Sequence, residues 1–117
     1  MKYRNKKITY DGITFDSRLE MNRYCELKLL ERAKKITGLE LQKEYILIPP
    51  QYEKSAEGKK TRGRCIERAV KYIADFAYID EYGQTVVEDT KGVKTKDYII
   101  KRKLMLYIHG IRIHEIS

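Results

Sequence analysis

Two runs of β-forming residues, separated by a short turn, constrain the fold of this chain most. Residues 66–79 and 84–91 have strand patterns, and residues 80–83 have the composition of a turn, so we predict an antiparallel hairpin. Asp75 lies among apolar neighbours in the first run, which has the pattern of a buried strand. Because an unpaired buried carboxylate is costly, we expect a metal ion, an arginine or hydrogen-bond donors to compensate it.

The alternation of strand side chains predicts how the acids of this hairpin face each other. Even-numbered residues of 70–78 would share one face, and odd-numbered residues of 69–79, Asp75 included, the other. On the second strand, Asp89 and Lys91 would share a face and Glu88 would point away. If residues 81–83 form the loop, Asp75 lies directly opposite Asp89, where like charges are destabilising. A divalent cation would turn that repulsion into a binding site.

This reading depends on the register of the hairpin, since a slip of one residue puts Asp75 and Asp89 on opposite faces. The alternative is a surface hairpin in which Asp89 forms an ion pair with Lys91 or Lys71. The sequence of residues 89–91 alone leaves both interpretations open.

The rest of the chain predicts a mixed α+β fold. The first helix would carry an apolar stripe of Leu19, Leu27, Leu30 and Ala33 and would stop at Thr37-Gly38. With the strands, the helices give an αβββαβ order in a single domain over residues 1–117, made of a basic N-terminal hairpin (1–15) and a core (16–117). The other predicted elements are a hairpin over 8–15 with an Asp11-Gly12 turn, a helix over 17–36, a strand over 39–52, a helix over 97–109 capped by Thr95 or Asp97, and a strand over 111–116.

The charge of the chain favours a polyanionic partner. Its 25 Lys and Arg residues exceed its 17 Asp and Glu residues and give a net charge of +8. Nucleic acid is the expected polyanion, and a solvated basic surface is the alternative. The widely separated Cys25 and Cys65 indicate a reducing, cytoplasmic setting. We expect neither a signal peptide nor a membrane span.

The acids and their spacing resemble the PD-(D/E)xK nuclease superfamily. Asp75 would be the acid on the second core strand, and residues 89–91, Asp-Thr-Lys, would match the acid-x-Lys motif of the third. Ala74 departs from the pattern at a position where proline is often replaced. The resemblance covers residues 16–116 and is greatest to small phage-encoded nucleases, including junction-resolving enzymes. It implies a restriction-endonuclease-like αβββαβ core and phosphodiester hydrolysis.

The resemblance also implies a catalytic set of Glu20, Asp75, Asp89 and Lys91. Asp75, Asp89, the Thr90 carbonyl and Glu20 would hold Mg²⁺ or Mn²⁺, and Lys91 would position a water molecule. Glu20 has a competing role, because residues 17–20 also match a capping box in which Glu20 would bond to the backbone of Ser17. If Asp16 caps the helix instead, Glu20 is free to face the site.

We expect DNA to contact basic residues outside this set. The candidates are Lys59, Lys60, Arg62 and Arg64 in a glycine-containing loop, and Lys101 and Lys103 on the second helix. Solvated loop and helix surfaces are the alternative. The predicted protein is therefore a structure-selective or sequence-lenient DNA endonuclease, with a homodimeric Holliday-junction resolvase as its sharpest form. The competing functions are a nickase or restriction-type endonuclease on the same core, and a DNA-binding module that does not cut.

Overall fold

The fold is known from a computed structural model that describes residues 6–55, 58, 62–91 and 93–117. The main elements follow the αβββαβ order, with a hairpin before them and a second small hairpin inserted, which confirms the predicted α+β class. In chain order the elements are β1 (Ile8–Tyr10), β2 (Ile13–Phe15), α1 (Arg18–Arg32), β3 (Thr37–Ile48), β4 (Gln51–Tyr52), β5 (Cys65–Glu67), β6 (Val70–Ile79), β7 (Thr85–Thr90), α2 (Lys96–His109) and β8 (His114–Ile116).

A four-stranded mixed sheet with the order β3-β6-β7-β8 organises the molecule. Strand β6 is antiparallel to both β3 and β7, whereas β8 runs parallel to β7 after the α2 crossover. The ladder between β6 and β7 runs from Ile79 opposite Thr85 to Phe76 opposite Glu88. Beyond that point β6 continues beside β3, and β7 continues beside β8. We call the place where β6 and β7 separate the fork.

The core consists of two clusters of buried side chains on opposite faces of the sheet, since the neighbouring residues Val86 and Val87 belong to different clusters. The α1 cluster comprises Phe15, Tyr24, Leu27, Ile36, Phe76 and Tyr78. The α2 cluster comprises Leu47, Tyr72, Ala74, Ala77, Val87, Tyr98, Met105 and Ile113.

The predicted alternation along residues 69–79 is wrong at one point. Tyr72 and Phe76, both even-numbered, belong to different clusters, and Tyr72 shares the α2 cluster with Ala77. The alternation therefore inverts near Asp75. The alternation of side chains along β3 inverts as well, at Gln42, which lies opposite Asp75. Gln42 has a positive φ of 53°, which a non-glycine residue rarely adopts. This irregularity could not be inferred from an alternating pattern.

Helix α1 is shorter than predicted and buries a different face. It ends at Arg32, and Lys34 follows with a φ of 60°, so the chain turns before Thr37. Its buried residues are Glu20, Tyr24 and Leu27. The predicted stripe is wrong at Leu30 and Ala33, which are exposed, and half right at Leu19, which is half-buried. Hydrophobicity alone did not identify Glu20 and Tyr24 as inward-facing, because both carry polar groups that need partners.

Several strand boundaries also differ from the prediction, for local reasons. The predicted strand over 39–52 is interrupted by Pro49-Pro50, and the run over 66–79 is interrupted by residues 68–69, so that β4 and β5 form a separate small hairpin. The last strand begins at His114 rather than at residue 111. The turn at Asp11-Gly12 and the Gly110 end of α2 are as predicted, with φ values of 57°, 74° and 68°.

Thr95 rather than Asp97 caps α2, since its side chain accepts a hydrogen bond from the Tyr98 amide. Within the described residues, neither helix is long and apolar enough to cross a membrane.

A buried ion pair fastens α1 to the sheet. Glu88 is 1% exposed; its carboxylate accepts hydrogen bonds from Nε and Nη2 of Arg23, at 2.7 and 2.6 Å, and from the Tyr78 hydroxyl. Glu88 thus points to the α1 face, away from Asp89 as predicted, and its partners compensate the cost of burying its charge.

We predict that Arg23→Ala lowers the free energy of unfolding by about 3–5 kcal/mol, because it leaves Glu88 buried without its cation. Urea unfolding measures the effect. Arg32→Ala, at an exposed arginine of the same helix, is the control and should cost less than about 1 kcal/mol. Equal losses in the two variants would show that the ion pair does not fasten the helix.

Candidate functional site

The two acids predicted to face each other lie at the fork. The β6–β7 register, with Phe76 opposite Glu88, makes Asp75 and Asp89 the next opposed positions. The connection is the predicted three-residue loop, since the Asp80 amide donates to the Gln84 carbonyl across residues 81–83. A cavity of about 260 Å³ opens here, and its lining includes Glu20, Asp75, Asp89 and Lys91. The structure thus brings all four predicted catalytic residues together.

Asp75 is held by the residue that follows Asp89. Its Oδ2 accepts hydrogen bonds from the Thr90 amide at 2.9 Å and from the Thr90 hydroxyl at 2.7 Å. The β6–β7 ladder has ended at this point, and the Thr90 amide donates to the side chain of Asp75 instead of to a backbone carbonyl of β6. The amide and carbonyl of one strand residue project to the same edge of the strand, so the Thr90 carbonyl also faces the fork.

Asp89 is 2% exposed and is held by a tyrosine and a lysine. Its Oδ2 accepts a hydrogen bond from the Tyr72 hydroxyl at 2.8 Å and lies 3.3 Å from Nζ of Lys91. That Nζ also lies 4.6 Å from the centre of the Tyr98 ring, a favourable cation–π distance. Burial, reinforced by Asp89, raises the pKa of Tyr72 and keeps its hydroxyl a donor.

Tyr98 is itself anchored by Glu115 on β8. The Tyr98 hydroxyl donates to Oε2 of Glu115 at 2.6 Å, and Arg102 and Lys94 form ion pairs with the same carboxylate. The hydrogen bond from Tyr98 lowers the pKa of Glu115 to about 2. The ring beneath Lys91 is therefore fixed by an ionised partner, which limits the positions open to the ammonium group.

Glu20 both caps helix α1 and lines the cavity at the fork. Ser17 is the N-cap of α1, and its hydroxyl accepts a hydrogen bond from the Glu20 amide at 3.1 Å. The Glu20 carboxylate bonds back to the Asp16 amide at 3.3 Å, not to that of Ser17, and accepts from Nε2 of Gln42 at 3.4 Å. Glu20 is nevertheless 4% exposed and lines the cavity of the fork. It caps the helix from within the candidate site.

Crowding of the carboxyl groups shows in their pKa values. Burial, and then the charge of Asp75, raise the pKa of Glu20 from 4.5 to about 7. Burial raises the pKa of Asp89 from 3.8 to about 7, and a hydrogen bond with the Asp75 carboxyl is the next cause. The negative charge of Asp75 thus disfavours ionisation of both Glu20 and Asp89.

The donor set has the chemistry of a site for a hard divalent cation. Three carboxylates and the Thr90 carbonyl supply the oxygen ligands that Mg²⁺ and Mn²⁺ prefer. Within the described residues, however, no group of three or more His, Cys, Asp or Glu side chains is arranged to hold an ion. Glu20, whose two hydrogen bonds are long, would have to move toward Asp75 and Asp89 to complete the set.

The predicted DNA-contacting residues are spread over two regions. Arg62 lies 4.5 Å above the Tyr52 ring, and Arg64 is 3.8 Å from Glu53, both beside the β4–β5 hairpin. Lys101 is half-buried on α2, and Lys103 is exposed. Lys59 and Lys60 lie outside the described residues.

Sequence reasoning missed three residues that hold the set in place: Gln42, Tyr72 and Tyr98. Strict alternation put Tyr72 on the face opposite Asp75, and the inversion of the strand returns its hydroxyl to Asp89. A buried tyrosine needs a hydrogen-bond partner, which is the one signal that could have identified Tyr72 and Tyr98. The sequence carries no comparable signal for Gln42.

The chain belongs to the family DUF1064, described as a protein of unknown function, whose model matches residues 1–115. No curated protein and no solved structure matches the chain.

We predict that the metal-free protein loses stability as pH rises from about 4 to about 7. Glu20 and Asp89 keep their protons up to about pH 7 in the folded state, whereas the unfolded chain releases them near its ordinary carboxyl pKa values. Their contribution is therefore fully present below those ordinary values and is lost as pH rises through 7. Melting temperatures in EDTA measure this fall, and Asp89→Asn should reduce it. An equally steep fall in Asp89→Asn would contradict the assignment.

Proposed function

We propose that this DUF1064 protein is a metal-dependent endonuclease that hydrolyses phosphodiester bonds in DNA. The observation that carries the proposal is that one cavity at the fork is lined by Glu20 of α1, by Asp75 and Asp89 of two strands, and by Lys91, which directly follows β7. Acids held close together beside a lysine are costly for stability and suited to phosphate chemistry with a divalent cation. The resemblance to PD-(D/E)xK nucleases supports the same reading.

Asp75, Asp89, the Thr90 carbonyl and Glu20 would hold Mg²⁺ or Mn²⁺. When bound, the ion lowers the pKa of a water molecule and neutralises negative charge on the phosphate that is cut. The surrounding side chains orient the carboxylates that would hold the ion. Thr90 fixes Asp75 through two hydrogen bonds, and Tyr72 fixes Asp89 through one, so that these two carboxylates need little rearrangement during the reaction.

Lys91 is the residue of this set that can act directly on the reacting groups. Its ammonium group lies between Asp89 and the Tyr98 ring, where it can orient the attacking water or stabilise charge that develops on the phosphate. Hydrolysis joins the water oxygen to phosphorus, breaks one ester P–O bond and delivers a proton to the departing oxygen.

DNA is the proposed substrate because of the net charge of +8 and the resemblance to phage-encoded nucleases. The small size of the chain favours recognition of a DNA structure rather than of a long base sequence. A four-way junction is the most specific substrate that we propose. Cutting two strands symmetrically requires two active sites, so we propose a homodimer. The activity would take place in the cytoplasm, in a host cell if the gene is carried by a phage.

Two alternatives use the same observations. A nickase or a restriction-type endonuclease would share this site and differ only in the DNA that it accepts. A DNA-binding module that does not cut is less consistent with the site, because clustered carboxylates repel phosphate and weaken binding unless they serve chemistry.

We predict that Asp75→Asn and Asp89→Asn each abolish Mg²⁺-dependent cleavage and leave DNA affinity close to that of the wild type. Both changes remove a cation ligand, and both also remove a negative charge that repels phosphate. The assay compares a four-way junction, a nicked duplex and a plain duplex side by side, with binding measured in EDTA.

Asp80→Asn is the matched control, since Asp80 lies in the turn at the other end of the same hairpin, and it should retain cleavage. Preference for the junction supports a resolving enzyme, and preference for either duplex supports the nickase or restriction-type alternative. Full cleavage by Asp89→Asn would remove the basis for this site.

We predict that Glu20→Gln separates the two roles of Glu20. Glutamine keeps an oxygen that can accept from the Asp16 amide, so the helix cap survives, and loss of the charge relieves repulsion by Asp75. The variant should therefore melt within a few degrees of the wild type in EDTA, and yet lose most of its Mg²⁺-dependent cleavage.

Glu20→Ala provides the comparison, because it removes the cap as well and should cost about 1 kcal/mol of stability. Wild-type cleavage rates in Glu20→Gln, together with a clear loss of stability in Glu20→Ala, would show that Glu20 only caps the helix. The catalytic set would then reduce to Asp75, Asp89 and Lys91.

A further inference from the structure

A second cavity adjoins the candidate site. Its volume is about 270 Å³, and Lys91 lines both cavities. Lys71 on β6 and Lys101 on α2 contribute to its walls, and Asp97 is the single acidic residue among the described residues that line it. Three lysines from separate parts of the chain thus line one space beside the fork, which we call the lysine cavity.

Lys71 is weakly held in the free protein. Lys71 is 3.3 Å from Glu44, but both side chains are about half exposed, and an exposed ion pair of this kind contributes little to stability. A phosphate group could replace Glu44 as the partner of Lys71 at small cost. Lys91 already contacts Asp89, and its position between the cavities lets it contact anions in either one.

We propose that the lysine cavity binds the phosphodiester group next to the one that is cut, on the same DNA strand. This inference rests on the proposed function and deepens it. Consecutive phosphates of one strand are joined through a single sugar, so a strand that places one phosphate at the fork carries the next one past Lys91. Lys71 and Lys101 then neutralise that second phosphate.

The walls of the cavity disfavour other ligands. The ammonium groups repel a metal ion. The two tyrosine hydroxyls in the lining, those of Tyr72 and Tyr98, already donate to Asp89 and Glu115. Apart from Asp97, the charged groups among the described lining residues belong to the three lysines, which suits a phosphate oxyanion. The substrate must accordingly carry at least two consecutive phosphates, which makes a polynucleotide the ligand rather than an isolated phosphodiester.

Binding of a labelled duplex in EDTA tests the subsite without any cleavage. Lys71→Ala/Lys101→Ala should weaken binding, on the order of three- to tenfold, and should flatten the slope of log affinity against log salt by about 0.9, the value for one duplex phosphate contact. Lys28→Ala/Lys35→Ala is the matched control: it removes the same charge at lysines paired with Glu31 and Glu81 and should change the slope less.

A second measurement locates the phosphate. Neutral methylphosphonate groups are placed singly along a cleaved strand, and kcat and KM are measured for each substrate. In the wild type, the group next to the cut should raise KM, and Lys71→Ala/Lys101→Ala should no longer respond to it. A response of the same size in the variant would overturn the assignment to this cavity.

The binding experiment distinguishes failure of the subsite from failure of the proposed function. Equal slopes in the two double variants, or no binding of DNA by the wild type, would overturn the subsite. A lysine-dependent slope in a protein that cleaves no DNA with Mg²⁺ or Mn²⁺ would support the subsite as a phosphate site and refute hydrolysis.

Discussion

Repulsion among three carboxyl groups at the fork is the constraint on which the site depends. Glu20 and Asp89 are almost completely buried, and Asp75 lies close enough to raise the pKa of both. A fold selected only for stability would have little reason to keep three acids in one cavity. The surrounding structure instead holds Asp75 and Asp89 with hydrogen-bond donors from Thr90 and Tyr72.

The sheet makes this arrangement possible by departing from regularity. Strands β6 and β7 separate at the fork, which frees the Thr90 amide to bind Asp75. The alternation of β6 inverts at the same level, which brings the Tyr72 hydroxyl to Asp89. On β3, Gln42 adopts a positive φ and donates to Glu20. Three irregular features thus lie together at the candidate site. Departures from regular strand geometry are expected at functional or strained sites.

Sequence reasoning predicted the features that depend on neighbouring residues, such as turns, the end of α2 and the length of the hairpin loop. Turn chemistry and the count of loop residues gave the hairpin register, and so the opposition of Asp75 and Asp89. It could not predict the inversion at Asp75, because a hydrophobic pattern does not record the backbone conformation of Gln42. It could not choose between the roles of Glu20 either, because one carboxylate both caps the helix and lines the cavity. Nothing in the sequence singled out Lys71, which became informative only because the fold makes it line the same cavity as Lys91 and Lys101.

A titration of the metal-free protein with Mn²⁺, followed by calorimetry near neutral pH, tests the central claim most directly. The carboxyl groups at the fork should bind the ion and release protons, since Glu20 and Asp89 have pKa values of about 7 and ligands bind as carboxylates. The measured heat should therefore depend on the ionisation enthalpy of the buffer, and Asp75→Asn should abolish it. Binding of the same strength in Asp75→Asn, or no binding in the wild type, would contradict a divalent-cation site at the fork.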